Sequence, residues 1–98
     1  MAQDVTITHE GDDSQGEYTA HIAGIDETGE LTWRAQGAGV RVATHTGVPP
    51  SMQGRGIAGK LVDALIADAR EHGFKIVPAC SYVAAQFRRH PEWADLRA

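Results

Sequence analysis

The segment with the clearest chemical potential is a glycine-rich run in the middle of the chain. It reads Gln53-Gly54-Arg55-Gly56-Ile57-Ala58-Gly59. An amphipathic stretch follows it, and the first amides of a helix lack intrahelical acceptors and carry the positive end of its dipole. The glycines allow close approach to the backbone, and a guanidinium fork suits phosphate. We predict that this turn binds an anion, with a diphosphate as its natural ligand. A turn that only reverses the chain is the alternative.

Four segments before this run alternate apolar and polar residues as strands do, at residues 4–9, 17–22, 31–35 and 40–48. Turns are predicted at residues 11–16 and 26–29, so that the second and third strands form an antiparallel hairpin. In the fourth strand, one face is predicted to carry Val40, Val42, Thr44, Thr46 and Val48. The other face is predicted to carry Arg41, Ala43, His45 and Gly47. Pro49 and Pro50 should end this strand, because proline cannot donate to a ladder.

The pattern changes at residues 56–72, where apolar residues recur every four positions as in an amphipathic helix. Gly73 is placed to cap its C-terminus. A short apolar run at residues 74–80 predicts a buried strand, and residues 82–89 predict a second helix that ends at His90-Pro91. Strand, helix and strand at this spacing imply a parallel crossover. The predicted fold is one α+β domain over residues 1–98, with a mixed, mainly antiparallel twisted sheet, one β-α-β crossover and a short C-terminal helix.

Composition narrows the functional classes. The chain has 98 residues and a formal net charge of −4, which disfavours nucleic acid binding because that depends on Lys and Arg neutralising phosphates. We expect no signal peptide, since residues 1–13 have neither a basic stretch nor an apolar run, and no membrane span. Cys80 is the single cysteine, which favours a reducing, cytoplasmic location. The histidines show no metal-ligand spacing with one another or with Cys80, so we predict no metal.

The glycine-rich run also matches the Q/R-x-x-G-x-G/A signature of the GNAT N-acetyltransferase superfamily, at the same place after the fourth strand and opening a helix. The chain resembles more closely a minimal family of GNAT-like proteins of about its own length. The shared motifs are His45-Thr46, Val48-Pro49, Gln53 to Gly59, Pro78-Ala79-Cys80 and His90-Pro91-Glu92-Trp93. The resemblance covers residues 40–96 by motif and the preceding strands by topology.

This resemblance implies acetyl-CoA as the co-substrate. Its diphosphate would lie on the amides of residues 54–58, and its pantetheine arm between the fourth and fifth strands. The implied binding residues are Val48, Gln53, Gly54, Arg55, Gly56, Ile57, Ala58, Gly59 and Pro78. Pro78 supports the arrangement separately, because a proline in a buried strand leaves the ladder unpaired on one side there.

Three side chains could carry out acetyl transfer to an amine. His45 is the candidate base, because histidine titrates near neutral pH; a histidine bonded across the sheet is the alternative. Cys80 could accept the acetyl group as a thiolate, favoured by a helix N-terminus or a nearby protonated histidine such as His45; a small core residue is the alternative. Tyr82 is the candidate acid for the leaving thiolate, or packs structurally.

Two departures from the larger enzymes leave two functional classes open. The acceptor-shaping helices of those enzymes are replaced by a loop at residues 11–16, and Gly47 stands where minimal relatives often carry an acidic residue. The glutamate that serves many of them as general base has no counterpart on this strand. We therefore expect either an N-acetyltransferase acting on an unknown amine, with Cys80 as a covalent intermediate, or a non-catalytic CoA-binding or protein-interaction module.

Overall fold

The computed structural model describes residues 5–98 as a five-stranded sheet with two α-helices and two short 3-10 helices. The strands are β1 Val5–Gly11, β2 Gln15–Ile22, β3 Ile25–Ala35, β4 Val40–Gly47 and β5 Lys75–Pro78. They are ordered β1-β2-β3-β4-β5, antiparallel except for the parallel pair β4–β5. The helices are α1 Ile57–His72 and α2 Ser81–Arg89, with 3-10 turns at Pro50–Met52 and Pro91–Leu96. The predicted α+β arrangement is confirmed. The start of the first predicted strand, Asp4, lies outside the described residues.

The turn between β2 and β3 differs from the prediction. Ile22 pairs with Ile25, so the chain reverses at residues 23–24, where Gly24 takes a φ of 84°. The predicted turn at residues 26–29 instead belongs to β3. Gly29 is buried there because α1 packs closely above it: a Cβ on Gly29 would lie 3.3 Å from the Ile57 side chain. This glycine serves packing, which a turn propensity does not distinguish.

Helix α1 covers one face of the sheet through the residues that its periodicity predicts. Ile57, Leu61, Leu65 and Ala69 are all buried. Gly73 ends the helix in the left-handed conformation, and its amide donates to the Ala69 carbonyl, so the predicted C-cap is confirmed.

Strand β4 contains a register shift that overturns the predicted division of its faces. Thr32 pairs with His45 and Trp33 pairs with Ala43, which leaves Thr44 as the extra residue of a β-bulge. Ala43 therefore shares the α1 face with Thr46, whereas His45 faces the opposite side. A simple alternation cannot cross such an insertion, because the extra residue exchanges the two faces beyond it.

Strand β5 is shorter than predicted. It ends at Pro78, which has no amide hydrogen to extend a ladder, and the Ala79 amide turns back to the Val77 carbonyl at 3.0 Å. Helix α2 ends at Arg89 near the predicted position. The 3-10 helix Pro91–Leu96 that follows was not predicted, and it buries Trp93 and Leu96 against the core.

Candidate active site

The glycine-rich turn is anchored by one buried side chain. Met52 is fully buried, and its amide donates to the Pro49 carbonyl at 2.9 Å. The Gln53 side chain reaches back and donates to the Val48 carbonyl at 3.3 Å. The sequence reasoning missed Met52, although an apolar residue between prolines and glycines is a signal for such an anchor. Gln53 and Val48, both predicted to bind the ligand, here organise the turn that would hold it.

The start of α1 exposes amides that nothing in the helix satisfies. Gly56 is the N-cap residue, with a φ of 72°, and it offers no side-chain hydrogen bond. The first intrahelical bond runs from the Lys60 amide to the Gly56 carbonyl at 3.2 Å, so the amides before Lys60 have no acceptor within the helix. The first turn also contains no acidic residue. Together with the helix dipole, these features form a site for an anion.

Two of the glycines in this turn are required by its backbone. Gly54 and Gly56 have φ values of 79° and 72°, which L-amino acids with side chains rarely adopt. Gly59 has no such requirement, since it lies inside α1. A Cβ at Gly59 would lie 3.8 Å from the Tyr82 hydroxyl, an ordinary contact distance. The Tyr82 hydroxyl therefore lies next to the first turn of α1. The backbone does not require glycine at position 59, and the absence of a side chain there leaves space on the surface of this turn.

The edge of β4 is left without a parallel partner near this turn, because β4 runs further than β5. The β4–β5 ladder ends where Ala43 pairs with Pro78, and the Cys80 amide then donates to the Ala43 carbonyl at 2.9 Å. Within residues 5–98, no β5 residue pairs with residues 44–47 of β4. The backbone edge of residues 44–47 thus faces the beginning of α2. The sequence predicted a gap between the fourth and fifth strands at this position, beside Pro78.

Cys80 lies at this edge, where it precedes α2 as its N-cap residue. The half-buried thiol donates a hydrogen bond to the Thr46 hydroxyl at 3.5 Å. Burial opposes ionisation of the thiol, but donors on Thr46 and the amides of Val83 and Tyr82 outweigh it and lower the pKa of Cys80. The thiolate fraction at neutral pH is raised accordingly, as at other helix N-termini.

The sequence that forms this fold and this glycine-rich turn matches a known family. Residues 17–96 match the sequence model of the GCN5-related N-acetyl-transferases. The chain belongs to this family. The match covers β2 from Glu17 onward, strands β3 to β5, both α-helices and the glycine-rich turn. Membership in the GCN5-related N-acetyl-transferases makes the chain an acyltransferase by family, and acetyl-CoA is the general co-substrate of that family.

In this family member, His45 and Cys80 face different sides of β4. Side chains alternate along a strand, and a Cβ at Gly47 would lie 2.9 Å from His45 Nε2, so both residues face the same side. Thr46, which contacts Cys80, points the other way. The contact expected to support the thiolate is therefore made by Thr46 rather than by His45. Sequence reasoning noted Thr46 within the His45-Thr46 motif but gave it no role.

Among residues 5–98, Asp68, Glu71 and His72 on α1 bring potential metal-ligating atoms within 4.8 Å of one another. The sequence prediction considered only histidine and cysteine spacings and did not consider this group. No helix among the described residues is long and apolar enough to cross a membrane.

Proposed function

We propose that this protein binds acetyl-CoA at the beginning of α1 and transfers the acetyl group to an amine. The observation that carries the proposal is the group of uncapped α1 amides beside the unpaired edge of β4. Apart from the residues adjoining each glycine in the chain, no heavy atom of residues 5–98 lies within 4 Å of a Cβ built on Gly54 or Gly56, so a diphosphate has room to approach these amides. Arg55 is exposed in the same turn and would contribute positive charge to the site.

The unpaired edge of β4 supports placing the pantetheine arm beside it. Parallel strands that separate leave backbone amides and carbonyls for a ligand that itself contains amides. In this arrangement Val48 and Pro78 lie at the two ends of the separation, and residues 53–59 lie beyond it at the diphosphate. Ile57 and Ala58 would contribute backbone amides, since the Ile57 side chain is buried in the core.

Cys80 supports a covalent route for the transfer. Its thiolate would attack the thioester carbonyl carbon, and the bond to the CoA sulfur would break as Tyr82 donates a proton to that sulfur. An amine would then attack the acetyl group on Cys80, releasing the Cys80 thiolate. Because His45 faces the side of β4 opposite to the Cys80 thiol, it would accept the surplus proton of the amine through an intervening water, and Tyr82 would regain its own proton from solvent.

Ligand affinity tests the first part of this proposal. We expect calorimetry to show that CoA binds at least about tenfold more tightly than pantetheine, which lacks the diphosphate. Gly59→Ala should weaken CoA binding about tenfold, because the methyl group would intrude on the diphosphate, while leaving pantetheine affinity unchanged. The same substitution should stabilise the fold by about 0.5–1 kcal/mol, since alanine favours a helix over glycine. Equal affinities for CoA and pantetheine would refute the diphosphate site.

Mass spectrometry tests the covalent step. Incubation with acetyl-CoA should add one acetyl group to Cys80, removable by hydroxylamine, and Cys80→Ser should lose most turnover with its CoA affinity retained. Full activity in Cys80→Ser would favour direct attack by the amine. If CoA binds but neither an acetylated cysteine nor an acetylated amine forms, the protein is a CoA-binding module instead. We also propose that the protein is cytoplasmic, in keeping with its single free thiol.

A further inference from the structure

The beginning of β3 projects beyond its neighbour β4. The two strands pair as far as Glu30 and Gly47, and residues 25–29 of β3 continue past this point. The two prolines that follow Val48 have no amide hydrogens with which to extend β4 along them. The chain instead forms the 3-10 helix Pro50–Met52, which contacts β3. The projecting end of β3, residues 25–29, therefore lies beside the segment that leads into the glycine-rich turn.

Two contacts join this projecting end to the glycine-rich turn, one on each side of the turn. Before the turn, the Ser51 hydroxyl donates a hydrogen bond to the Glu27 carboxylate at 2.7 Å. After it, a Cβ on Gly29 would lie 3.3 Å from the Ile57 side chain, so the first residue of α1 packs directly on the strand. Ile57 is buried in the core, whereas Ser51 and Glu27 are both exposed. The hydrogen bond can therefore be removed without disturbing the core.

The residues between these two contacts have a backbone that is costly to order. Gly54 and Gly56 have φ values of 79° and 72°, and glycine loses more conformational freedom than any other residue when its backbone is fixed. A site that is ordered before its ligand arrives binds more tightly, because less freedom is lost on binding. The bond from Ser51 to a carboxylate is of the stronger, charge-assisted kind, and it fastens the turn to a residue 24 positions earlier.

We propose that Glu27 is a positioning residue for CoA: through Ser51, it holds the glycine-rich turn so that the amides at the start of α1 face the diphosphate. Glu27 acts through Ser51 and does not touch the ligand. A carboxylate beside an anion site opposes anion binding by its charge, so Glu27 favours CoA only through the conformation that its hydrogen bond gives the turn. This inference rests on the proposed binding of CoA and extends that site to β3.

Calorimetry with CoA tests the inference on a set of variants. Ser51→Ala and Glu27→Ala each remove the hydrogen bond and should raise the Kd for CoA about fivefold. The variant with both alanines should bind no more weakly than either single variant, because both lose the same contact. Glu27→Gln keeps an acceptor oxygen and should retain the wild-type affinity or exceed it. Asp26→Ala, at an exposed neighbour, is the control. Pantetheine, which lacks the diphosphate, should bind equally to all of them.

NMR relaxation of the protein without CoA separates this inference from the proposed function. The Gly54 and Gly56 amides should have order parameters of about 0.85, as in a rigid backbone, in the wild type, Glu27→Gln and Asp26→Ala, and clearly lower values in Ser51→Ala and Glu27→Ala. If these values fall as expected but the wild type does not bind CoA, the CoA proposal is rejected and the ordering of the turn by Glu27 stands. Unchanged order parameters, an additive loss of about 25-fold in the double variant, or equal losses of affinity in Glu27→Gln and Glu27→Ala would each overturn the inference.

Discussion

The Cys80 thiol depends on neighbours that are distant in the sequence. Thr46, which lies 34 positions earlier, accepts the hydrogen bond of the thiol at 3.5 Å. The hydroxyl of threonine can rotate and donate instead when the sulfur is ionised. The amides of Tyr82 and Val83 at the start of α2 supply the other donors to the sulfur. These donors stabilise the thiolate more than burial destabilises it, which is why the pKa of Cys80 falls although the thiol is half-buried.

Thr46→Val should therefore make the Cys80 thiol less reactive. Valine keeps the branched shape of threonine but removes the hydroxyl donor, so the pKa of Cys80 should rise and the thiolate fraction at neutral pH should fall. The rate of iodoacetamide alkylation against pH should show its midpoint at higher pH than in the wild type. Thr44→Val is the matched control, because the Thr44 hydroxyl bonds Thr32 instead. A midpoint that shifts equally in both variants would show that the Thr46 contact is not responsible.

For individual residues, the sequence identifies which ones could react, but it does not identify all the residues that contact them. The glycine-rich run and the helix that follows it are visible because glycines and a change of periodicity mark them. The orientation of His45 is not visible, because the bulge at Thr44 is a single inserted residue that no propensity marks. The contact of Thr46 with Cys80 depends on that same bulge and on where β5 ends.

Among the elements, α1 is the one that the sequence predicts most fully. Its apolar repeat and its cap at Gly73 follow from local rules and are confirmed, and its start at Ile57 is one residue after the predicted Gly56. The turn between β2 and β3 was misplaced because Gly29 fits a turn signal, whereas the structure uses it to let α1 approach the sheet. Local patterns thus located the helix, while contacts between elements decided where the strands begin and end.

Replacing Leu65 with alanine should measure how much the packing of α1 against the sheet contributes to the free energy of unfolding. Leu65 is fully buried beneath the helix, so its loss removes apolar contacts and leaves a cavity costing about 2–5 kcal/mol of unfolding free energy. Denaturant unfolding would measure this. Asp63→Ala on the exposed side of the same helix is the control and should change stability by less than about 0.5 kcal/mol. Similar small effects of both substitutions would mean that α1 packs through a different face.

Across residues 5–98 the buried side chains form one core, and the 3-10 helix Pro91–Leu96 contributes to it. A cluster of buried side chains runs from β2 through α1 and α2 to Trp93 and Leu96. The C-terminus also joins the sheet, since the Ala98 amide donates to the Ile76 carbonyl at 2.9 Å. A domain of this size has a total stability of about 5–15 kcal/mol. The 3-10 helix Pro91–Leu96 therefore belongs to the folding unit, although the sequence predicted only a break at His90-Pro91.

Trp93→Ala should consequently destabilise the entire domain rather than only its end. Trp93 is buried between the rings of Phe87, at 5.6 Å between centroids, and His90, at 4.1 Å. Truncating such an aromatic side chain costs about 3–5 kcal/mol, a large share of the total stability. Unfolding should remain a single transition at a lower midpoint, and far-ultraviolet and near-ultraviolet circular dichroism should report it together. Glu92→Gln changes an exposed neighbour of Trp93 but keeps a hydrogen-bond partner for His90 Nδ1, which lies 2.9 Å from Glu92, so it should leave the midpoint nearly unchanged. A separate early transition in Trp93→Ala, with the sheet unfolding as in the wild type, would instead show that the C-terminal segment is an independent appendage.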